Sequence, residues 1–273
     1  MTVTLLELFD AVVPDPAGGY TTTPAGEGFL FGGLTMSLAL RAAAHTTGTG
    51  FVPRSLHCTF VRAGTWGSPL HFAVETTGDG RTVVTRQVTI TEGGRTLATM
   101  ATAFHRPPGG EDDGAGWQRD DGHRVPGPDG VAPMSVWLPV DGLLEVRPLG
   151  PSVDGEHPLR AHPLWSRVRD PLGDDPVAHA CGLTFISDYL VIMAMHDSST
   201  VTAEPGSIRT LDHSVWFHRR AHADDWLLYR AEAVSVSPTH GVSQGAVIDR
   251  DGRRIATFVQ GDIMNAHPAR RPR

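Results

Sequence analysis

Hydrophobic and polar positions fall into short strand-like runs along the first part of the chain. Four such runs are Ser55 to Ala63 (SLHCTFVRA), Pro69 to Thr77 (PLHFAVETT), Arg81 to Thr91 (RTVVTRQVTIT) and Arg95 to His105 (RTLATMATAFH). Thr65-Trp66-Gly67-Ser68, Gly78-Asp79-Gly80 and Glu92-Gly93-Gly94 separate them, and such clusters mark tight turns, so four successive strands predict an antiparallel meander. Ahead of them, Leu34 to His45 (LTMSLALRAAAH) is rich in Ala and Leu and apolar on nearly every side, which predicts a helix buried on several faces. One long helix wrapped by an antiparallel sheet is the simplest assembly of these parts.

From Arg106 to Pro133 neither helical nor strand period survives, and Pro, Gly and Asp dominate, as in a linker or a long surface excursion. The earlier order then recurs. Ser187 to His196 (SDYLVIMAMH) reads as an apolar helix, followed by strand-like runs from Ile208 onward. Letters repeat as well: Arg54-Ser55-Leu56-His57 stands 155 positions before Arg209-Thr210-Leu211-Asp212, and Gly94 to Thr99 stands 158 before Gly252 to Thr257. The chain therefore reads as a duplication, expected as an α+β protein with units over 1–107 and 141–273 and a linker over 108–140. Two such sheets can pair edge to edge and hide exposed strand edges.

Composition narrows the function. The 273 residues carry 23 Lys plus Arg against 30 Asp plus Glu, a net charge of -7 that argues against a nucleic-acid partner. The longest wholly apolar stretch, Tyr189 to Met195, is far below the roughly 20 residues of a membrane span, so no membrane partner is expected. The start MTVTLLELFDAVV lacks the features of a secretory signal, and two cysteines, Cys58 and Cys181, fit free thiols in the cytoplasm. No nucleophile elbow, P-loop or dinucleotide fingerprint is present, and His213, His218 and His222 lack the companions of a zinc site, so neither cofactor nor metal is expected. Cys58, in a strand, reads as a small core residue or a surface thiol; Trp216, Phe217 and Trp226 to Tyr229 read as the core of a strand pair.

Several segments, in order along nearly the whole chain, resemble acyl-CoA thioesterase II. They are FLFGGLTMSLAL from Phe29, FVRAG from Phe60, EVRP from Glu145, ISDYL from Ile186, TLDHSVWFHR from Thr210, WLLY from Trp226 and ATFVQGDIM from Ala256. The resemblance implies a double hotdog, two tandem helix-wrapped-by-antiparallel-sheet units in one polypeptide, in agreement with the duplication. It implies hydrolysis of an acyl-CoA, or another acyl thioester, by water activated by Asp188, Thr210 and Gln260, and assembly as a homodimer or a dimer of dimers. The residue types suit that work: an Asp can act as base, a Thr hydroxyl can donate and accept, and a Gln amide can fix a water or a carbonyl.

Taken singly, these residues have plain structural readings. An Asp at a helix start is most often a cap, and Thr210 or Gln260 alone would be an ordinary strand residue. With Asp188 in the first turn of its helix, the free N–H groups there are expected to polarise the thioester carbonyl. The duplication places Ser55 and Thr102 where the second half has Thr210 and Gln260, and Gly33, Leu34 and Thr35 where it has Asp188, so one complete site per chain is expected. Leu34 also departs from the resemblance, because many relatives carry a Gln after the Phe-Gly-Gly turn. Arg209, Arg219 and Arg220 are candidates to meet nucleotide phosphates. A non-hydrolytic thioester binder and a hotdog hydratase or dehydratase are the alternatives, although no Asp-x-Asn-Pro-x-His signature is present.

Overall fold

The computed structural model describes residues 3–107, 125–134, 142–149, 162–196, 201–220 and 222–268. A short helix α1 (Leu5–Asp10) opens the chain, followed by β1 (Val13–Pro14), β2 (Tyr20–Thr22), helix α2 (Gly32–Ala44), β3 (Val52–Phe60), β4 (Leu70–Asp79), β5 (Val83–Glu92) and β6 (Arg95–His105). The second part runs β7 (Leu144–Pro148), β8 (Leu164–Val168), α3 (Pro176–Ser187), α4 (Met193–His196), β9 (Val201–Phe217), β10 (Leu227–Val236), β11 (His240–Ile248) and β12 (Arg254–Pro268).

All the strands join one sheet in the order β1-β2-β4-β5-β6-β3-β9-β12-β11-β10-β8-β7. Read inward from either end, the two halves have the same topology, and they meet where β3 pairs with β9 in antiparallel register from Ser55–Trp216 to Thr59–Asp212. Both inner strands thereby gain a partner on each side, which removes the edges that each unit alone would expose.

The two main helices lie together under this sheet. Leu34, Met36, Leu38, Ala39 and Leu40 of α2 are fully buried, as are Ala178, Cys181, Leu183 and Phe185 of α3. Each buried Leu or Met here contributes on the order of 2 kcal/mol. Small residues let the helix backbones approach: a Cβ on Gly33 would fall 2.5 Å from the Phe185 carbonyl oxygen, and Ser37 Oγ donates to the Cys181 carbonyl at 2.8 Å. At the helix ends, Arg41 bridges Asp10 at 2.8 Å and Asp175 at 2.5 Å.

Two expectations change. The four-strand meander is incomplete, because β4, β5 and β6 are successive neighbours while β3 crosses to lie between β6 and β9. The helix expected over Ser187–His196 instead occupies 176–187, with a single further turn at 193–196. Its start signal lies earlier: the Asp175 side chain accepts from the Val177 N–H at 2.9 Å and Pro176 occupies the first turn, while Leu190 at φ 60° interrupts the helix. A segment apolar on all sides has no period from which to fix these limits. The region expected as a linker over 108–140 lies mostly outside the described residues; within it, Pro128–Gly130 forms a single 3-10 turn and Pro126 accepts from the Trp165 indole N–H at 2.9 Å.

Candidate active site

Strand alternation decides which side chains enter the space between the sheet and the helices. From β9 these are His213, Val215 and Phe217, and from β12 they are Phe258, Gln260, Asp262 and Met264, all buried. Gln260 lies opposite His213, and a register shift at Gly261/Asp262 sets Asp262 opposite Thr210.

A polar network results in an otherwise apolar layer. Gln260 Nε2 donates to Asp262 Oδ1 at 2.9 Å and to Thr210 Oγ1 at 3.3 Å. Gln260 Oε1 lies 2.8 Å from His213 Nδ1, and since an amide oxygen only accepts, that nitrogen carries the hydrogen. His213 Nε2 then accepts from the Ser187 hydroxyl, 2.9 Å away at the end of α3. Burial pushes the His213 imidazole down to about 4, so it is neutral at physiological pH and fixes which way the Gln260 amide points.

Asp188 reaches this network from another direction. It is the C-cap of α3, not a first-turn residue as expected, so the start of its own helix cannot serve the site. The start of α2 takes that role: the Asp188 carboxyl accepts from the Gly33 N–H. The N-cap of α2, Phe31, supplies no side-chain bond, so the Gly33 N–H is open to Asp188. Gly32 makes the approach possible, because a Cβ there would lie 2.7 Å from Asp188 Oδ2 and 3.2 Å from the Phe60 ring. Burial and the charge of Asp262 push Asp188 up to about 7, against the Gly33 hydrogen bond. Burial also pushes Asp262 up to about 6, opposed by Gln260 and Thr210 and aided by Asp212.

Thr210 and Gln260 are thus bonded directly, while Asp188 makes no hydrogen bond to either among the described residues and feels the set through the charge of Asp262. His213, Ser187, Asp262 and the Gly32-Gly33 turn went unassigned in the sequence analysis. The one signal for Asp262 was its position two residues after Gln260, on the same face of a strand.

The other candidates resolve as follows. Thr102, buried in the first half, donates to the Ser55 carbonyl at 2.9 Å, and its partner on β3 is Leu56. Leu34 is core. Cys58 is buried core as well, its thiol pushed up by burial and by Asp188 and Asp212. Phe217 and Trp226 to Tyr229 are core, but Trp216 corrects its expectation: it stands on the outer face, edge-on to His57 with centroids 5.0 Å apart. Arg209 and Arg220 are exposed, and Arg220 donates to the Asp174 carbonyl at 2.8 Å. His179, His222 and Asp224 form a metal-like group among the described residues. Both His179 nitrogens are engaged there, Nδ1 by the Ala223 N–H at 3.1 Å and Nε2 by the Gly173 carbonyl at 2.7 Å, which makes it a structural histidine. No described helix is long and apolar enough to cross a membrane.

A model of the acyl-CoA thioesterase N-terminal domain matches residues 21–105, and one of the acyl-CoA thioesterase C-terminal domain matches residues 119–261. The chain belongs to the acyl-CoA thioesterase family. It is 28% identical over 264 residues to human acyl-coenzyme A thioesterase 8, covering 88% of this chain and 81% of that protein. Against acyl-CoA thioesterase 2 of Haemophilus influenzae the identity is 24% over 254 residues, covering 86% and 87%. Among solved structures, an acyl-CoA thioesterase II from Mycobacterium marinum superposes with a TM-score of 0.76 at 25% identity, over 98% of this chain and 99% of that one. A hot dog fold protein from Alicyclobacillus acidocaldarius superposes at 0.74 with 20% identity, over 94% and 97%. The family thus carries the double hotdog seen here, in which the polar network lies under the second half of the sheet and its helix N-terminus comes from the first.

Proposed function

We propose that the protein hydrolyses an acyl-CoA, or a related acyl thioester, to the free acid and the thiol, using a water held by Asp188, Thr210 and Gln260. Family membership makes it a thioester hydrolase, and the observation that carries the site is Asp188. That carboxyl is buried at the start of α2, it is poised near 7, and it is coupled through Asp262 to a Gln260 amide that His213 and Thr210 hold in place. A general base works best with an affinity for protons close to the working pH.

The reaction follows from those groups. Asp188 in its carboxylate form takes a proton from water, and the water oxygen bonds to the thioester carbon. Gln260 and Thr210 orient that water. The carbonyl electron pair returns, the carbon–sulfur bond breaks, and the thiolate leaves with a proton, so that acid and thiol are formed and Asp188 is regenerated. The free N–H groups at the start of α2 supply a positive end near the developing negative charge.

The units over 1–107 and 141–273 act together in this scheme, because Asp188 comes from one and the α2 start from the other. Assembly as a homodimer or dimer of dimers has its support in Trp216 and His57 on the solvent side of the β3/β9 seam, and a monomer on light scattering would refute it. Cytoplasmic residence and a place in lipid metabolism rest on the resemblance and the two buried, unpaired thiols. The deciding experiment is free-thiol release from acyl-CoA esters of increasing chain length, comparing the wild type with Asp188→Asn. Release that the folded variant loses supports the reaction and the base. No release from any ester overturns it, with enoyl absorbance change pointing to a hydratase and ligand binding alone pointing to a carrier.

A further inference from the structure

Asp262 is 1% exposed, faces the same interior as Gln260, and takes no part in the reaction steps above. Its Oδ1 accepts from Gln260 Nε2 at 2.9 Å, while Oδ2 is buried with no hydrogen-bond partner among the described residues. An aspartate at such a place is expensive for the fold unless it acts.

We propose that Asp262 is a positioning residue of the hydrolytic centre: it holds the Gln260 amide in the pose shared with Thr210, and its charge acts on the Asp188 carboxyl from within the same interior. This rests on the hydrolase reading of the site. The groups around the pair are accounted for element by element. β9 presents Thr210, neutral His213, and Asp212 beyond Gly261; β3 presents Cys58, held as a thiol; and α2 presents the Gly33 N–H. β11 sets Gly241 opposite Asp262 and Ser243 opposite Gln260, and α4 brings Met195 against Gly241, none of them titratable. No arginine is among the described groups acting on either carboxyl. With no cation to offset it, the negative charge of Asp262 opposes ionisation of Asp188 and makes its carboxylate a stronger base.

Asp262→Asn keeps the shape and an oxygen that can accept from Gln260, and removes the charge. The acid limb of kcat/KM against pH is then expected to fall by roughly one pH unit relative to the wild type. Asp262→Ala, which also frees the amide, is expected to lower kcat further than Asp262→Asn does. In parallel, carbon-13 NMR of labelled aspartate follows the Asp188 carboxyl directly, its signal assigned by its loss in Asp188→Asn, and its midpoint is expected to fall by the same amount in Asp262→Asn. Equal losses in both Asp262 variants with an unmoved midpoint make the residue merely structural and overturn the proposal. A wild type that releases no thiol overturns the hydrolase reading instead, and the NMR midpoints still decide whether the charge of Asp262 acts on Asp188.

Discussion

The β3/β6 pair of the first half and the β9/β12 pair of the second have the same place in the topology, side by side at the seam of one sheet, yet their interiors differ in kind. Under β3 and β6 lie Leu56, Cys58, Met100 and Phe104, with the Thr102 hydroxyl closed onto its neighbour's carbonyl. Under β9 and β12 lie His213, Gln260 and Asp262, each bonded to a side chain, with Thr210 at the edge of the set. The duplication made two equivalent interiors. One is apolar core, and the other holds a polar network whose members raise or lower one another's proton affinity. The first half is not idle in consequence, since its uncapped α2 start receives Asp188 from the second.

If the first half serves the chemistry through that start, Gly32→Val should break the comparison most severely. Its side chain would occupy the place of Asp188 Oδ2, 2.7 Å from the new Cβ, and displacing the base should lower kcat/KM about a hundredfold or more. Thiol release within twofold of the wild type would show that Asp188 works without α2.

The network should also weaken the fold above neutral pH. Asp188 holds its proton up to about 7 when folded, above its ordinary 3.8. Its contribution to stability is therefore complete below 3.8 and is lost as the pH rises through 7. Asp188→Asn should be the more stable protein at pH 8, by at most about 4 kcal/mol, with the gain vanishing near pH 4. Urea titrations at pH 4, 6 and 8 measure this, and a difference that does not vary with pH would contradict it.

His213 acts with the opposite sign. Its folded value near 4 lies below the ordinary 6.5, so the stability it contributes is present above 6.5 and disappears as the pH falls toward 4. The wild type should lose up to about 3 kcal/mol more than His213→Asn across that interval, and parallel losses would refute the neutral, buried imidazole.

The smallest effect belongs to the silent half. Thr102→Val removes one hydrogen bond, to the Ser55 carbonyl, and should lower stability by about 1 kcal/mol with thiol release unchanged. A loss of turnover would mean that the first interior also takes part in the reaction.

Strand content was legible in the sequence because side chains alternate and turn residues punctuate. The run Arg95 to His105 matches β6 in full, and α2 begins two residues before the expected Leu34. α3 was misplaced because its segment is apolar all round. Asp188, Thr210 and Gln260 were reached through resemblance, for each is ordinary by itself.

The sequence alone determined the duplication and the α+β class, which follow from local pattern and from letters repeated in order, and the family, which follows from its resemblance to acyl-CoA thioesterase II. Tertiary structure decided that β3 lies between β6 and β9 rather than beside β4, that Asp188 caps the end of α3 while lying at the start of α2, and that Asp262 joins the network. The physical reason is that proton affinity and hydrogen-bond pose depend on burial and on groups brought from distant positions, such as Gly33 and Asp188, whose distance in space no spacing along the chain encodes.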